Sequence, residues 1–574
     1  MVKRSIALLG VSCLALLSAA GWGTTHARVA STSASADTIV MATAPLQAPN
    51  WFFPVGSDTG ATLQNRQLQS LMYVPLVHIG TNDAPDYAQS IATGVTVNKA
   101  SDQFTVHLGT KYKWSNGQPV TAQDVVFTWD LIKAASSKHT PFGYPYVGIG
   151  GVPADWKSVV AKGSKTVVIT TTAPVNAVWF IQDGLSQIIP VDQSVWDKYP
   201  TNMYKELEFI DLLANSPTSP EYDVVDGAFK FYKMVPGDYW EFVPNPSYGG
   251  HKPTIKAFIE QYETSTAAEF EALKEGTVNV GYLPNSSWSA RGQLTNDVIK
   301  PVYFVGFTEM PMNENAHAPG GLGPVFQQLY LREALQMGIN EPAIIKGIYH
   351  GEASLCYGPV AALPKTVYVD PATTKADYPY NPAKGKKLLE ANGWKEVNGV
   401  MTKGKLRLAF TVTYISGDQT TTDMMELLKA DWAKEGIDVT LRPEALADVD
   451  MNQTIDPTKW SVEGPFNLTW GTFYPDGESI FGTGGGSNNG GYSNATSNAL
   501  MAAVTKPAST KATLSALFKY EENISKEVPV LWLPWPAGSV SVQGDYLTYA
   551  KNVHGVVSTA GVAGSIAPQY WTIK

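Results

Sequence analysis

Cysteine is almost absent from this chain: Cys13 and Cys356 are the only two in 574 residues. Cys13 lies inside an N-terminal apolar run, so a mature chain cut after it keeps Cys356 alone. An internal disulfide is then excluded, and stability has to come from hydrophobic cores. Between Leu355 and Tyr357, Cys356 is expected to be a small buried residue with an inert thiol. Charge is sparse too. Only 16% of residues are Asp, Glu, Lys or Arg, with a formal net charge of -9. No cluster of Lys and Arg appears, which argues against nucleic acid or an anionic membrane surface as partner. The eight histidines never fall at the i, i+4 spacing of a helical zinc site and no H-E-x-x-H occurs, so no metal is expected. Neither a G-x-S-x-G elbow nor a G-x-x-x-x-G-K-[ST] loop is present, which leaves a catalytic serine or a nucleotide phosphate without local support. No catalytic residue and no cofactor is assigned. A carboxylate pair for glycoside hydrolysis is a spatial arrangement that sequence does not display, so a secreted hydrolase remains the alternative outside the binding class.

Long apolar runs are confined to the N-terminus. Lys3 and Arg4 precede an apolar stretch from Ile6 to Ala20, with Ser18-Ala19-Ala20 as the small residues a signal peptidase accepts and Thr25-His26-Ala27 as a later cleavage point. Residues 1–36 therefore read as a signal peptide and a Ser/Thr/Ala-rich tether, and the mature protein as exported. No other segment reaches the roughly 18 to 20 apolar residues needed to cross a bilayer. A lipid anchor at Cys13 is disfavoured, because Gly10-Val11-Ser12 lacks the leucine of a lipobox and Leu14 to Leu17 continue the apolar core.

Aromatics are plentiful, with 16 Trp and 27 Tyr. They serve extended ligands by stacking on sugar faces or by forming apolar pockets for peptide side chains. A chain of this length exceeds one core and should divide into two or three lobes. Strands alternate with helices along it. Thr38 to Ala42, Phe104 to Leu108 and Thr166 to Thr171 read as strands. Thr121 and Asp124 form a capping box ahead of a helix with Val125, Trp129 and Ile132 on one apolar face. Asn381 caps a helix with Pro382 in its first turn and Gly393 at its close. A further helix is expected from Asp423 to Glu435, then a strand from Ile437 to Leu441. This alternation implies an α/β protein with mixed sheets.

Several segments share one likeness. Trp114-Ser-Asn-Gly-Gln-Pro-Val-Thr-Ala-Gln-Asp-Val-Val-Phe127 resembles a signature of the family 5 extracellular solute-binding proteins, the peptide and nickel receptors of ABC importers. Gly227-Ala-Phe-Lys230, Pro236-Gly-Asp-Tyr239 and Asn245 to Pro253 follow in the family's order. So do Arg332-Glu-Ala-Leu335 through Gly351, Tyr380 to Leu389 with Gly393, and Trp470-Gly-Thr-Phe-Tyr-Pro-Asp476 with Gly491-Tyr-Ser-Asn494. Together they cover most of the mature chain.

The resemblance implies a two-lobed periplasmic-binding-protein-like fold with an extra small domain. Lobe I would combine 37–77, 223–303 and 539–574, the small domain would be 78–222, and lobe II 304–538. Crossings near Val302 to Val305 and Ala537 to Val540 would form a hinge. The implied function is non-enzymatic: a monomeric receptor outside the cytoplasmic membrane takes a short peptide into an interlobe cleft and passes it to an ABC permease. An oligosaccharide is the alternative ligand. The implied ligand-binding residues are Asn50, Trp51, Trp470, Gly471, Phe473, Tyr474 and Asp476. Where the family's peptide receptors carry an aspartate for the peptide's α-amino group, this chain aligns Phe473, and Asp476 or Glu478 replaces it only if the loop is shifted.

Overall fold

The computed structural model describes residues 37–43, 48–57, 60–80, 83–445, 448–449, 456–470, 474–538, 545–556 and 566–574. The signal peptide, the tether and Cys13 lie outside them, as do Gly471 and Phe473. Among the described residues no helix is long and apolar enough to cross a membrane.

The β-branched stretch Thr38–Ala42 is a nearly fully buried strand near the middle of a seven-stranded sheet. It pairs in parallel with Ala257–Gln261 on one side and Val280–Pro284 on the other. The antiparallel strands Tyr239–Pro244 and Phe229–Val235 extend the first side; Asp545–Ala550 and Asp297–Lys300 extend the second. This sheet thus collects strands from the beginning, middle and end of the chain. A purely antiparallel sheet of four strands, ordered Ala92–Val97, Gln103–Leu108, Thr166–Thr171 and Trp156–Ala161, carries the helix Ala122–Ala135. Further along, Gly306–Pro311 lies between Phe466–Thr469 and Val530–Leu533, and Ala409–Ile415 lies between the parallel strands Asp438–Glu444 and Val462–Glu463. The architecture is α/β with mixed sheets, as the alternation of elements implies.

Local chemistry explains the boundaries. Thr121 caps Ala122–Ala135 and both halves of the capping box form, the Thr121 amide donating to Asp124 Oδ2 at 2.7 Å. Val125, Trp129 and Ile132 are buried along that helix. Asn381 caps Pro382–Ala391 by accepting from the Lys384 amide. The helix expected from Asp423 instead runs Gln419–Ala433, because Asp418 accepts from the Thr420 and Thr421 amides and starts it a turn earlier. The following strand continues past Leu441 to Glu444, held in parallel register against Ala409–Ile415. Cys356 is buried, with its thiol directed at the Gly358 carbonyl.

The two stretches expected to cross between lobes lie side by side. The Gly538 amide donates to the Val302 carbonyl, and the Trp535 indole donates to the Phe304 carbonyl at 2.9 Å. Gly538 sits at φ 68°, a left-handed conformation that glycine adopts without a Cβ clash.

Candidate functional site

A cavity of about 690 Å³ opens beside these stretches, with Val302, Phe304 and Gly538 in its wall. One side is built by the helix Leu63–Met72, capped by Thr62 accepting from the Asn65 amide. Leu68, Leu71 and Met72 are buried in the core, while Leu63, Arg66, Ser70 and Tyr73, spaced by three or four residues, line the cavity. Tyr144, Tyr146, Tyr248, Tyr282 and Tyr570 add aromatic surface from other segments.

Three residues expected from the sequence also line the cavity. Trp470 is half-buried; its indole donates to the Pro359 carbonyl at 2.7 Å, its ring packs 5.6 Å from Phe307, and it still lines the cavity. Tyr474 also lines it, its hydroxyl donating to the Val504 carbonyl at 3.0 Å and its ring edge-on to Tyr368. Burial raises this phenol far above its ordinary range. The carboxyl of Asp476 accepts the Trp179 indole hydrogen at 2.8 Å. Burial pushes the Asp476 carboxyl up to about 6, with Glu478 adding to the rise, while Trp179 and the Gly477 and Glu478 amides pull it down.

Asn50 and Trp51 are placed elsewhere. Trp51 is buried edge-on against Phe142, its indole donating to the Val55 carbonyl, and Asn50 is exposed and bonded to Asn65. Neither lines the cavity, although Gln69, which does, donates to the Trp51 and Phe53 carbonyls. Arg66, Tyr146 and the rest of the Leu63–Met72 face carry no motif. The spacing of their polar residues was the only signal that could have found them.

The segments 78–222 and 304–538 also grip each other next to this cavity. Asn176 caps a short helix by accepting from the Val178 amide, which aims its Nδ2 outward to the Val504 carbonyl (3.1 Å) and Thr513 Oγ1 (2.8 Å). Its own amide donates to the Thr505 carbonyl. Tyr368 donates its hydroxyl hydrogen to Gln182 Oε1, and the Val367 amide donates to Asp83 Oδ2. The Trp179 bond to Asp476 belongs to the same set. Among the described residues no group of three or more His, Cys, Asp or Glu is placed to hold a metal ion. The geometry suits enclosure of a short ligand by aromatic walls, in the size range usual for small-molecule sites.

Residues 86–492 match the profile described as bacterial extracellular solute-binding proteins, family 5 Middle. A putative ABC transporter peptide-binding protein of Brucella ovis is 27% identical over 296 residues, 50% of this chain. The match spans 48% of that relative, so the chain covers about half the length of the first curated relatives it matches. The oligopeptide-binding protein AppA of Bacillus subtilis is 21% identical over 79% of each chain. Its structure in complex with a nonapeptide superposes at a TM-score of 0.71, with 18% identity over 94% of this chain and 99% of that one. NikZ from Campylobacter jejuni in complex with Ni(L-His) superposes at 0.72, with 18% identity over 94% of this chain and all (100%) of that one. At these identities the superpositions show a shared fold, that of two-lobed binding proteins.

Proposed function

From a chain that belongs to the bacterial extracellular solute-binding proteins of family 5, whose members are substrate-binding components of ABC transporters and not enzymes, we propose a receptor that encloses a short peptide between two lobes and hands it to a membrane permease. The observation that carries this reading is the aromatic cavity beside the paired crossings, with Trp470, Tyr474 and Asp476 in its wall. Lobe I would comprise 37–77, 223–303 and 539–574, lobe II 304–538, and 78–222 a small domain that grips lobe II when the cleft is shut. The protein would act as a monomer on the outer side of the cytoplasmic membrane, exported through its N-terminal signal and without a lipid at Cys13.

Ligand binding to both lobes favours the closed arrangement by the difference in affinity between the two states. Small-angle scattering should therefore record a smaller radius of gyration when a bound ligand is added. A ligand shown to bind without compaction would remove the hinged-receptor reading. An oligosaccharide is the second reading, favoured by the aromatic wall and by the engagement of Asp476 with Trp179, which leaves less of that carboxylate for an amine. Mass spectrometry of the ligand that co-purifies separates the two, and release of cleaved ligand would point to the hydrolase.

A further inference from the structure

Strand alternation separates two faces of the seven-stranded sheet. Tyr282 and Leu547, paired across neighbouring strands, line the cavity together with Met41. The next pair, Leu283 and Tyr546, points the other way, into a second core that also holds Val40, Ala42 and Ala537. The crossings lie between the two. Val302, Phe304 and Gly538 line the cavity, whereas Ala537 belongs to the second core and Tyr303 packs against it.

On that far face the 3-10 helix Asn285–Gln293 and the strand Asp545–Ala550 meet the segment 348–350. Asn285 Nδ2 donates to the Ile348 carbonyl at 3.0 Å, and the Tyr546 hydroxyl donates to Asn285 Oδ1 at 2.9 Å. Trp288 supplies the bulk of the junction. Its ring packs 4.5 Å from that of Tyr546 on its own side, and it lies parallel to the imidazole of His350, inclined by 5° at 5.8 Å. Arg291 braces the same indole, its Cζ 4.4 Å from the ring centroid. His350 is exposed, yet its backbone is held at φ 55°, a left-handed conformation that a residue with a Cβ seldom adopts. A rotation about the crossings that parts the cavity walls drives the surfaces behind them together. Those surfaces already touch here, while the grip on the cavity side is also made, and rings at such separations are in contact and resist further approach.

We propose that the Trp288–His350 stack is a stop behind the hinge: it limits how far the unliganded cleft opens, and through that limit it sets ligand affinity without touching the ligand. This rests on the reading of 37–77, 223–303 and 539–574 as one lobe and 304–538 as the other, and it names the side chains that bound their motion.

The test compares unliganded wild type, Trp288→Ala and His350→Asn by small-angle scattering. Asparagine tolerates the left-handed backbone, and the exposed position 350 keeps the second variant folded even where loss of the indole destabilises the first. Both variants should show a larger radius of gyration and a larger maximum dimension than wild type. The double variant should exceed the larger single effect by little, because the two rings act as one contact. With a tetrapeptide selected from a library by wild type, both variants should compact to the wild-type size but bind about 2- to 12-fold more weakly, the worth of one aromatic pair. Unliganded dimensions equal to wild type in His350→Asn, or smaller ones with tighter binding, overturn the stop. That comparison needs no ligand, so it decides the stop whichever solute the cavity takes. Wild type that fails to compact around a tetrapeptide shown by calorimetry to bind overturns the hinge as well, whereas a compacting wild type with unaltered variants overturns the stop alone.

Discussion

Glu435 offers the sharpest test of how this chain uses its few charges. It is fully buried where the helix Gln419–Ala433 gives way to the next strand, and its carboxyl is wedged against two backbones. A Cβ added at Gly385 would lie 2.3 Å from its Oε2, and one added at Gly338 would lie 2.8 Å from its Oε1. Neither oxygen has a hydrogen-bond partner among the described residues. Burial, with nearby Asp431, held by Lys434 and Tyr380, adding to the rise, pushes this carboxyl up to about 9. In the unfolded chain the same group titrates at about 4.3. The folded state therefore holds a proton that the unfolded state has released throughout the interval between. Stability from this group is complete below the unfolded value and falls as pH rises toward 9, by up to about 1.4 kcal/mol per pH unit. Glu435→Gln is nearly isosteric and does not titrate. Urea denaturation of both proteins at pH 6, 7 and 8 should show the variant gaining on wild type by up to about 3 kcal/mol over those two units. Glu260 and Glu309, each pushed up to about 8 by burial, add similar slopes that cancel in the comparison. A wild-type-to-variant difference that stays constant across the three pH values would refute the neutral buried carboxyl.

Other predictions address the site and its closure. Asp476→Asn should weaken peptide binding by about 1.5–3 kcal/mol, and N-acetylation of the peptide should cost a similar, non-additive amount; with a sugar platform, Trp470→Ala should abolish binding while both of those changes do little. Asn176→Ala removes the bonds to the Val504 carbonyl and Thr513 Oγ1 and should shift the unliganded protein toward the open form, seen as a larger radius of gyration than wild type. Cys356, 1% exposed with its thiol pushed up to about 12, should resist maleimide at pH 8 in the native protein and react fully in denaturant; rapid native labelling would contradict its burial.

Elements whose signals are local were the ones legible in the sequence. Thr121 and Asp124 bond within one turn, Asn381 and Pro382 punctuate their own helix, and Thr38 to Ala42 opens with three β-branched residues and is apolar after the first, so each is specified by neighbours in the chain. The start at Asp418 escaped because a lone aspartate after Gly417 looks like turn residue and cap alike until its two amide donors are in place. Trp470, Tyr474 and Asp476 line the cavity, and the family motif they sit in is what made them candidates in the sequence. Trp51, though equally aromatic, is claimed by Phe142, which lies far away in the chain and only meets it through the fold. Arg66 escaped for the opposite reason: an isolated arginine on a mostly polar helix reads as solvated surface, and only the tertiary structure turns that face inward.

The grip between 78–222 and 304–538 is made of amides, hydroxyls, an indole and carbonyls, with carboxylates at Asp83 and Asp476 and no ion pair crossing it among the described residues. Screening at physiological ionic strength weakens exposed charge pairs over about 8 Å, but it leaves neutral and half-buried hydrogen bonds nearly untouched. The balance between open and shut should thus be nearly independent of dissolved salt. For the receptor proposed here, on the outer side of a cell, a clasp built this way would keep the same strength in dilute and in brackish surroundings.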